Sequence, residues 1–238
     1  MKRTVAIIMA LILAAFVCAG CSQQPKENNP SPAPASTSSS SKAERQDVIV
    51  KETGFSVDSI GATHYGLILE NPNENYSLGA FQVNVTARNA NGQIIGTDTA
   101  HPTYLFALQK TAVCGYISTP EAPATIDATI SANASSWGSY DGVQGGDADA
   151  VFQVTNLADI DKGYGMASVT GEVVNNSDKE ANSMIVNVVV RDANGAIVSG
   201  EYTYVHGSIP AHSSGVFEAM FTSMPEHASV EAYPMMYA

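Results

Sequence analysis

One stretch of this chain occurs twice. Ser183–Ser199 reads S-M-I-V-N-V-V-V-R-D-A-N-G-A-I-V-S, and about a hundred residues earlier Ala80–Gly96 reads A-F-Q-V-N-V-T-A-R-N-A-N-G-Q-I-I-G. Val83-Asn84-Val85 matches Val186-Asn187-Val188, Arg88 matches Arg191, and Asn89-Ala90-Asn91-Gly92 matches Asp192-Ala193-Asn194-Gly195. Apolar residues at 81, 83, 85 and 87, and at 186, 188 and 190, alternate with other side chains. That period of two marks strands with one buried face. Asn91-Gly92 and Asn194-Gly195 are expected to supply the positive-φ conformations that close a hairpin turn. A slip of one residue would turn every core side chain outward, so the register is firmly set.

The duplication extends over most of the chain. Phe55–Ile60 matches Phe152–Leu157, Leu69-Glu70-Asn71-Pro72-Asn73 matches Val173-Val174-Asn175-Asn176-Ser177, and Pro123–Ala128 matches Pro225 with Ala228–Ala232. Asn71 and Asn175 mark the turn that precedes each copied hairpin. Each copy is about 85–90 residues, close to the ~100 of an immunoglobulin-like sandwich. Strands are expected over 48–60, with a break near Gly54, then over 62–70, 78–88, 93–106, 112–118 and 125–131, and again over 151–157, 166–174, 182–191, 196–205, 215–222 and 228–233. No segment after Val17 keeps an apolar helical period. The fold class that follows is all-β, with two tandem immunoglobulin-like antiparallel β-sandwich domains over residues 46–132 and 150–238. The Gly-rich, acidic segment 133–149 between them is expected to be a linker.

What precedes the sandwiches gives an address. Met1-Lys2-Arg3 is a positive leader to the apolar run Val5–Val17, which is followed by Cys18-Ala19-Gly20-Cys21. As a helix that run would span roughly 20 Å, short of the ~30 Å hydrocarbon layer, so it is expected to be an export signal. Small residues directly before Cys21 resemble the lipobox of bacterial lipoproteins. The resemblance implies cleavage after residue 20 and attachment of fatty acyl chains such as palmitate to Cys21. Several such chains, at ~0.8 kcal/mol per buried methylene, hold a protein durably on a membrane surface. Residues 21–45 are rich in Ser and Pro without large apolar side chains, the composition of a disordered tether. Ser22 is not the Asp that marks inner-membrane retention in two-membrane bacteria, and a long Ser/Pro stalk suits a cell wall; one membrane or two is left open.

Charge excludes one class of partner. The chain carries 11 basic and 23 acidic side chains, a formal charge of −12. Without Lys2 and Arg3, nine basic side chains face 23 acidic ones and the charge is −14. The cations are scattered singly, so no nucleic-acid partner is expected. With Cys18 in the signal and Cys21 lipidated, Cys114 stands alone and no internal disulfide is available.

Candidate chemistry is sparse. His64, His101, His206, His212 and His227 form no zinc-ligand spacing, and no cofactor motif or catalytic signature occurs, so neither a metal, a cofactor nor a catalytic residue is assigned. Asp147 with Asp149, and Asp159 with Asp161, lie in expected loops without the spacing of a calcium loop. Cys114 is expected to be a buried, inert thiol, placed on the core face by aligning Tyr116 with Phe217. Tyr76, Tyr104, Trp137, Tyr140, Tyr202 and Tyr204 are candidates for partner contacts, since protein-binding hot spots favour Tyr and Trp. Trp137 and Tyr140, in the joint between the copies, are the first choice.

The second copy carries a further likeness. Gly171, Val173, Asn175 and Ser177 at alternate positions, a strand ending in Asp192-Ala193-Asn194-Gly195, then Ile209-Pro210-Ala211-His212-Ser213 and Phe217, resemble the FxLYD-type immunoglobulin-like domain of bacterial surface lipoproteins. Val188–Asp192 occupies the place of the eponymous motif, with aliphatic residues before the shared Asp. The resemblance covers about residues 47–238 and implies a sandwich fold without an active site. The function expected is a non-enzymatic binding or structural module of the cell envelope, on the extracytoplasmic side of a membrane. The alternative is an accessory subunit of an envelope enzyme or transporter. Oligomeric state is left open.

Overall fold

The structure, a computed structural model, describes residues 44–138 and 151–236. Cys21, the signal segment, most of the tether, Tyr140 and the Asp147–Asp149 pair lie outside the described residues.

The first lobe runs through β1 (Ile49–Val57), β2 (Ala62–Glu70), β3 (Ser77–Gly79), β4 (Gln82–Arg88), β5 (Ile94–Ala100), β6 (Tyr104–Leu105), β7 (Lys110–Ser118), β8 (Thr125–Ser131) and β9 (Trp137–Gly138). Two antiparallel three-stranded sheets, ordered β1-β2-β7 and β5-β4-β8, face each other. A small third sheet, β6-β3-β9, closes one end. The second lobe comprises β10 (Phe152–Gly163), β11 (Met166–Asn175), β12 (Met184–Arg191), β13 (Ile197–Tyr204), β14 (Ser213–Phe221) and β15 (Ser229–Met236). Its sheets, β10-β11-β14 and β13-β12-β15, repeat the same arrangement. The fold is all-β.

The duplicated text forms the hairpins β4–β5 and β12–β13. Each slips register at the same place, between Ala87 and Arg88 and between Val190 and Arg191. Only the glycines of the two turns adopt positive φ, 77° at Gly92 and 82° at Gly195. The turns are therefore type I turns with a glycine bulge, rather than mirror-image turns with positive φ at both Asn and Gly. Asn89 Oδ1 accepts from the Asn91 and Gln93 N–H groups, and Asp192 Oδ1 does the same for Asn194 and Ala196. That role of the first turn residue explains why Asn and Asp interchange there.

Two expected strands are interrupted, while β1 runs unbroken through Gly54 and β10 runs well past its expected end. The span 78–88 breaks at Ala80-Phe81, and 93–106 breaks at His101-Pro102-Thr103, where the Pro102 carbonyl accepts from the Phe81 N–H. Strand β10 continues to Gly163, so Asp159 and Asp161 lie on a strand and not in a loop. Asp159 is taken up by His227, and Asp161 accepts from the Gly163 N–H.

Two asparagines hold equivalent corners. Asn71 and Asn175 are fully buried. The Asn71 amide donates to the carbonyls of Tyr76, Leu105 and Phe106, while its oxygen accepts from both nitrogens of Asn73. The Asn175 amide donates to Lys179, Ile209 and Pro210, and its oxygen accepts from the Ser177 N–H and hydroxyl. Each side chain thus satisfies backbone groups that the loops would otherwise bury unpaired.

The lobes do not stand apart. Tyr65, Leu67, Leu69, Val113 and Ile117 from β2 and β7 pack on Val83, Val85 and Ala87 from β4. Val169, Val173, Phe217 and Ala219 pack on Val186, Val188 and Val190 in the same way. A third cluster joins the lobes: Ile68, Ala112 and Cys114 of the first meet Val189 and Ile197 of the second. The result is four stacked sheets, in the order β5-β4-β8, β1-β2-β7, β13-β12-β15, β10-β11-β14. The inner two are buried on both faces, hence the unbroken run Val188-Val189-Val190 where the first copy has Val85-Thr86-Ala87.

Close approach at this joint requires glycine. A Cβ on Gly200 would lie 2.5 Å from the Tyr65 carbonyl oxygen and 2.8 Å from Cys114 Sγ, and one on Gly54 would lie 1.9 Å from the Ile197 carbonyl oxygen. The equivalent outer face of the second lobe is different. Where β2 and β7 present Gly66, Ile68, Ala112 and Cys114, β11 and β14 present Thr170, Glu172, Val216 and Glu218 in the same register.

Candidate functional site

A cleft of about 390 Å³ opens where the lobes meet. Its walls come from β5, β7, β12, β13 and β15, so a stacked framework positions it. Tyr116, Tyr202 and Tyr204 line it together with His101, Met235 and Ile185. Tyr202 and Tyr204 meet edge to face, their ring centres 6.1 Å apart. Tyr116 is 55% exposed, and its ring centre lies 6.2 Å from that of His64.

Asp98 and Asn187 are among the polar residues that line the cleft. Asp98 on β5 accepts from the Tyr65 hydroxyl at 2.7 Å and from the Thr99 N–H at 2.8 Å. Among the described residues no cation pairs with this carboxylate. Asn187 on β12 accepts from the Cys114 N–H at 2.9 Å across the joint. Burial pushes the Tyr202 hydroxyl above its ordinary range, and the neighbouring groups of Tyr204, Glu201, Tyr116 and Asp98 add to this. Burial foremost, then the bond to Asp98, pushes the Tyr65 hydroxyl far up, so it stays a donor.

Beside the cleft, polar bonds tie the lobes together. His64 Nε2 lies 3.2 Å from Asp58 Oδ2 of its own lobe. Its Nδ1 lies 3.1 Å from Glu201 Oε2 of the other lobe, and Ser56 bonds Ser199 at 2.9 Å. Arg191 donates to the Gly195 carbonyl at 2.7 Å and to Glu52 of the first lobe at 2.5 Å, and pairs with Glu231. Arg88 keeps the turn bond, to Gly92, and a more exposed pair with Asp127.

Cys114 is buried, but not on the face expected. The pairs Leu67–Val113 and Gly171–Phe217 show that Val113, not Tyr116, is the counterpart of Phe217. Cys114 therefore points away from its own sandwich core and into the joint, where Sγ approaches the Val188 carbonyl. Burial drives its thiol well above the ordinary range, which keeps it protonated.

Trp137 belongs to the first lobe. It lies on β9 opposite Leu78, packs on the lobe's core, and carries the Arg45 guanidinium 4.8 Å from its ring centre. Trp137-Gly138, expected within the linker, instead form a strand because β3 offers an edge to pair with; residues 139–150 lie outside the described residues. Of the remaining aromatic candidates, Tyr202 and Tyr204 enter the cleft, and Tyr104 stacks on Phe106. The sequence reading missed Asn187, whose signal was a polar side chain in a run of valines. It also missed Asp98 and the exposure of Tyr116. Among the described residues no group of three or more His, Cys, Asp or Glu side chains is placed to hold a metal ion.

No family model matches the chain, and no curated protein matches it. Among solved structures, a transglutaminase of red sea bream is similar at 9% identity and a TM-score of 0.24, over 76% of this chain and 28% of that one. The C-terminal globular domain of an oligosaccharyltransferase from Pyrococcus abyssi is similar at 11% identity and a TM-score of 0.23, over 79% of this chain and 46% of that one. The chain thus spans less than half the length of either. At these scores neither neighbour bears on what the chain binds or does.

Proposed function

We propose that the protein is a non-enzymatic binding module of the bacterial cell envelope, held at the extracytoplasmic face of a membrane by lipid on Cys21. The observation that carries the binding role is the cleft at the joint of the lobes. Its aromatic walls stand on strands of stacked sheets, so the recess is organised before any ligand arrives, and little ordering entropy is lost on binding. The lipobox-like Ala19-Gly20-Cys21 and the Ser/Pro tether support the address.

Two measurements test this. Cells fed alkyne-palmitate should label the wild-type protein and not a Cys21→Ser variant. The mature Cys21→Ser chain, immobilised, should retain envelope material that a further Tyr116→Ala substitution releases. Equal retention by both chains, or turnover of envelope material that a single substitution abolishes, would remove the proposal.

The accessory-subunit reading rests on Trp137, which is only half-buried beneath Arg45. It calls for a stable membrane-protein partner that crosslinks at this residue in intact cells.

A further inference from the structure

We infer that the cleft is a saccharide site; this rests on the reading of the protein as a binding module. Asn187 lines the cleft although only 3% exposed. Its oxygen is occupied by the Cys114 N–H. Its amide nitrogen has no hydrogen-bond partner among the described residues, so two donors face the cleft. That nitrogen is not sealed off from solvent, so its donors are available to a ligand in the cleft. Asp98 lines the same cleft, held in place by Tyr65 and Thr99 and retaining acceptor capacity on its carboxylate.

These two groups restrict the ligand. An anion would be repelled by Asp98, with which no cation pairs among the described residues. An ammonium or guanidinium group would suit Asp98 and leave the Asn187 donors unmet. A purely apolar ligand would strand both groups. A hydroxyl-bearing ligand answers both, because one hydroxyl accepts from Asn187 and another donates to Asp98. Tyr116, Tyr202 and Tyr204 add flat apolar faces, against which the C–H face of a pyranose ring packs. The volume falls within the roughly 300–1,000 Å³ of small-ligand pockets, and the cleft opens to solvent, which leaves an exit for a longer glycan.

The test is a titration of the isotope-labelled mature Cys21→Ser chain, followed at the Asn187 side-chain amide by NMR. Chitotriose, cellotriose and maltotriose are the saccharide probes, and trilysine is the cationic control. At least one trisaccharide is expected to shift the Asn187 amide saturably, with trilysine silent. Tyr116→Ala, at an exposed position that leaves the fold intact, should weaken that binding about tenfold or more. If no trisaccharide moves the amide, or Tyr116→Ala titrates like the parent chain, the saccharide assignment is overturned. If trilysine alone moves it, the cleft binds but not sugar, and only the assignment falls. If neither moves it and Tyr116→Ala releases no envelope material, the binding-module reading falls as well.

Discussion

His64 Nδ1 stands 3.1 Å from the carboxylate of Glu201, and the two residues belong to different lobes. The bond to Glu201 foremost, then that to Asp58, outweighs the effect of burial and raises the His64 pKa above its ordinary 6.5. A raised folded-state pKa means that the protonated ring favours folding. The stabilisation is complete below about 6.5 and is lost as pH climbs through the higher folded value. Thermal unfolding measured from pH 5.5 to 8.5 should therefore show stability falling towards the alkaline end. His64→Gln should flatten the part of the slope that belongs to the joint. His227, raised in the same direction and bonded to Asp159 within the second lobe, should keep its own share in that variant.

Gly200→Ala should destabilise the protein by about 1–3 kcal/mol, the usual cost of overfilling a packed interior. The obstruction is backbone, the Tyr65 carbonyl, and a strand buried on both faces has no room to retreat. Urea unfolding with an unchanged parent baseline checks the figure. A cost under about 0.5 kcal/mol would show that the lobes separate readily.

Cys114 reports the same joint without a probe being added. In the native wild-type protein its thiol should react with a disulfide reagent only as fast as the lobes part, since it is buried and held protonated. Gly200→Ala should speed the reaction about tenfold or more at neutral pH. Rapid labelling of the wild type would contradict the buried placement.

Asn71→Ala and Asn175→Ala should each cost at least about 2 kcal/mol, because several buried carbonyls lose their donor at once. The two sites lie in different lobes and share no partner. Their effects should add to within about 0.5 kcal/mol in the double variant, as urea titrations would show.

Arg191→Ala should be the costlier of the two equivalent arginine substitutions. Its side chain is 12% exposed and bridges the lobes through Glu52, whereas that of Arg88 is 38% exposed and pairs with Asp127. Exposed pairs contribute little, about 0–1 kcal/mol. Matched thermal melts of the two variants give the comparison.

What the sequence made legible was whatever a strand needs locally. Val83, Val85, Val186 and Val188 announced their buried face, and Gly92 and Gly195 announced their turns. The relation between lobes is non-local and left fainter marks. Val189, one apolar residue too many for a one-sided strand, was such a mark. So was Ala112-Val113-Cys114, where both parities are apolar. The register of β7 could not be read by matching aromatics, since Tyr116 and Phe217 face opposite sides of equivalent strands. Asn187 left only the faint mark of a polar side chain among valines, and Asp98 left none; only stacking brings them to one cleft.

The difference between the two outer faces has a last consequence. A chain whose halves are copies, and whose first half offers a platform to the second, has the means to add a third half from a neighbour and then a fourth, growing into a fibre. Glu172 and Glu218, standing where the first lobe has Ile68 and Cys114, put carboxylates on the platform the next copy would need. Desolvating them against an apolar sheet is costly. A surface of this kind disfavours the next copy, so neighbouring molecules at high density are kept from zipping together.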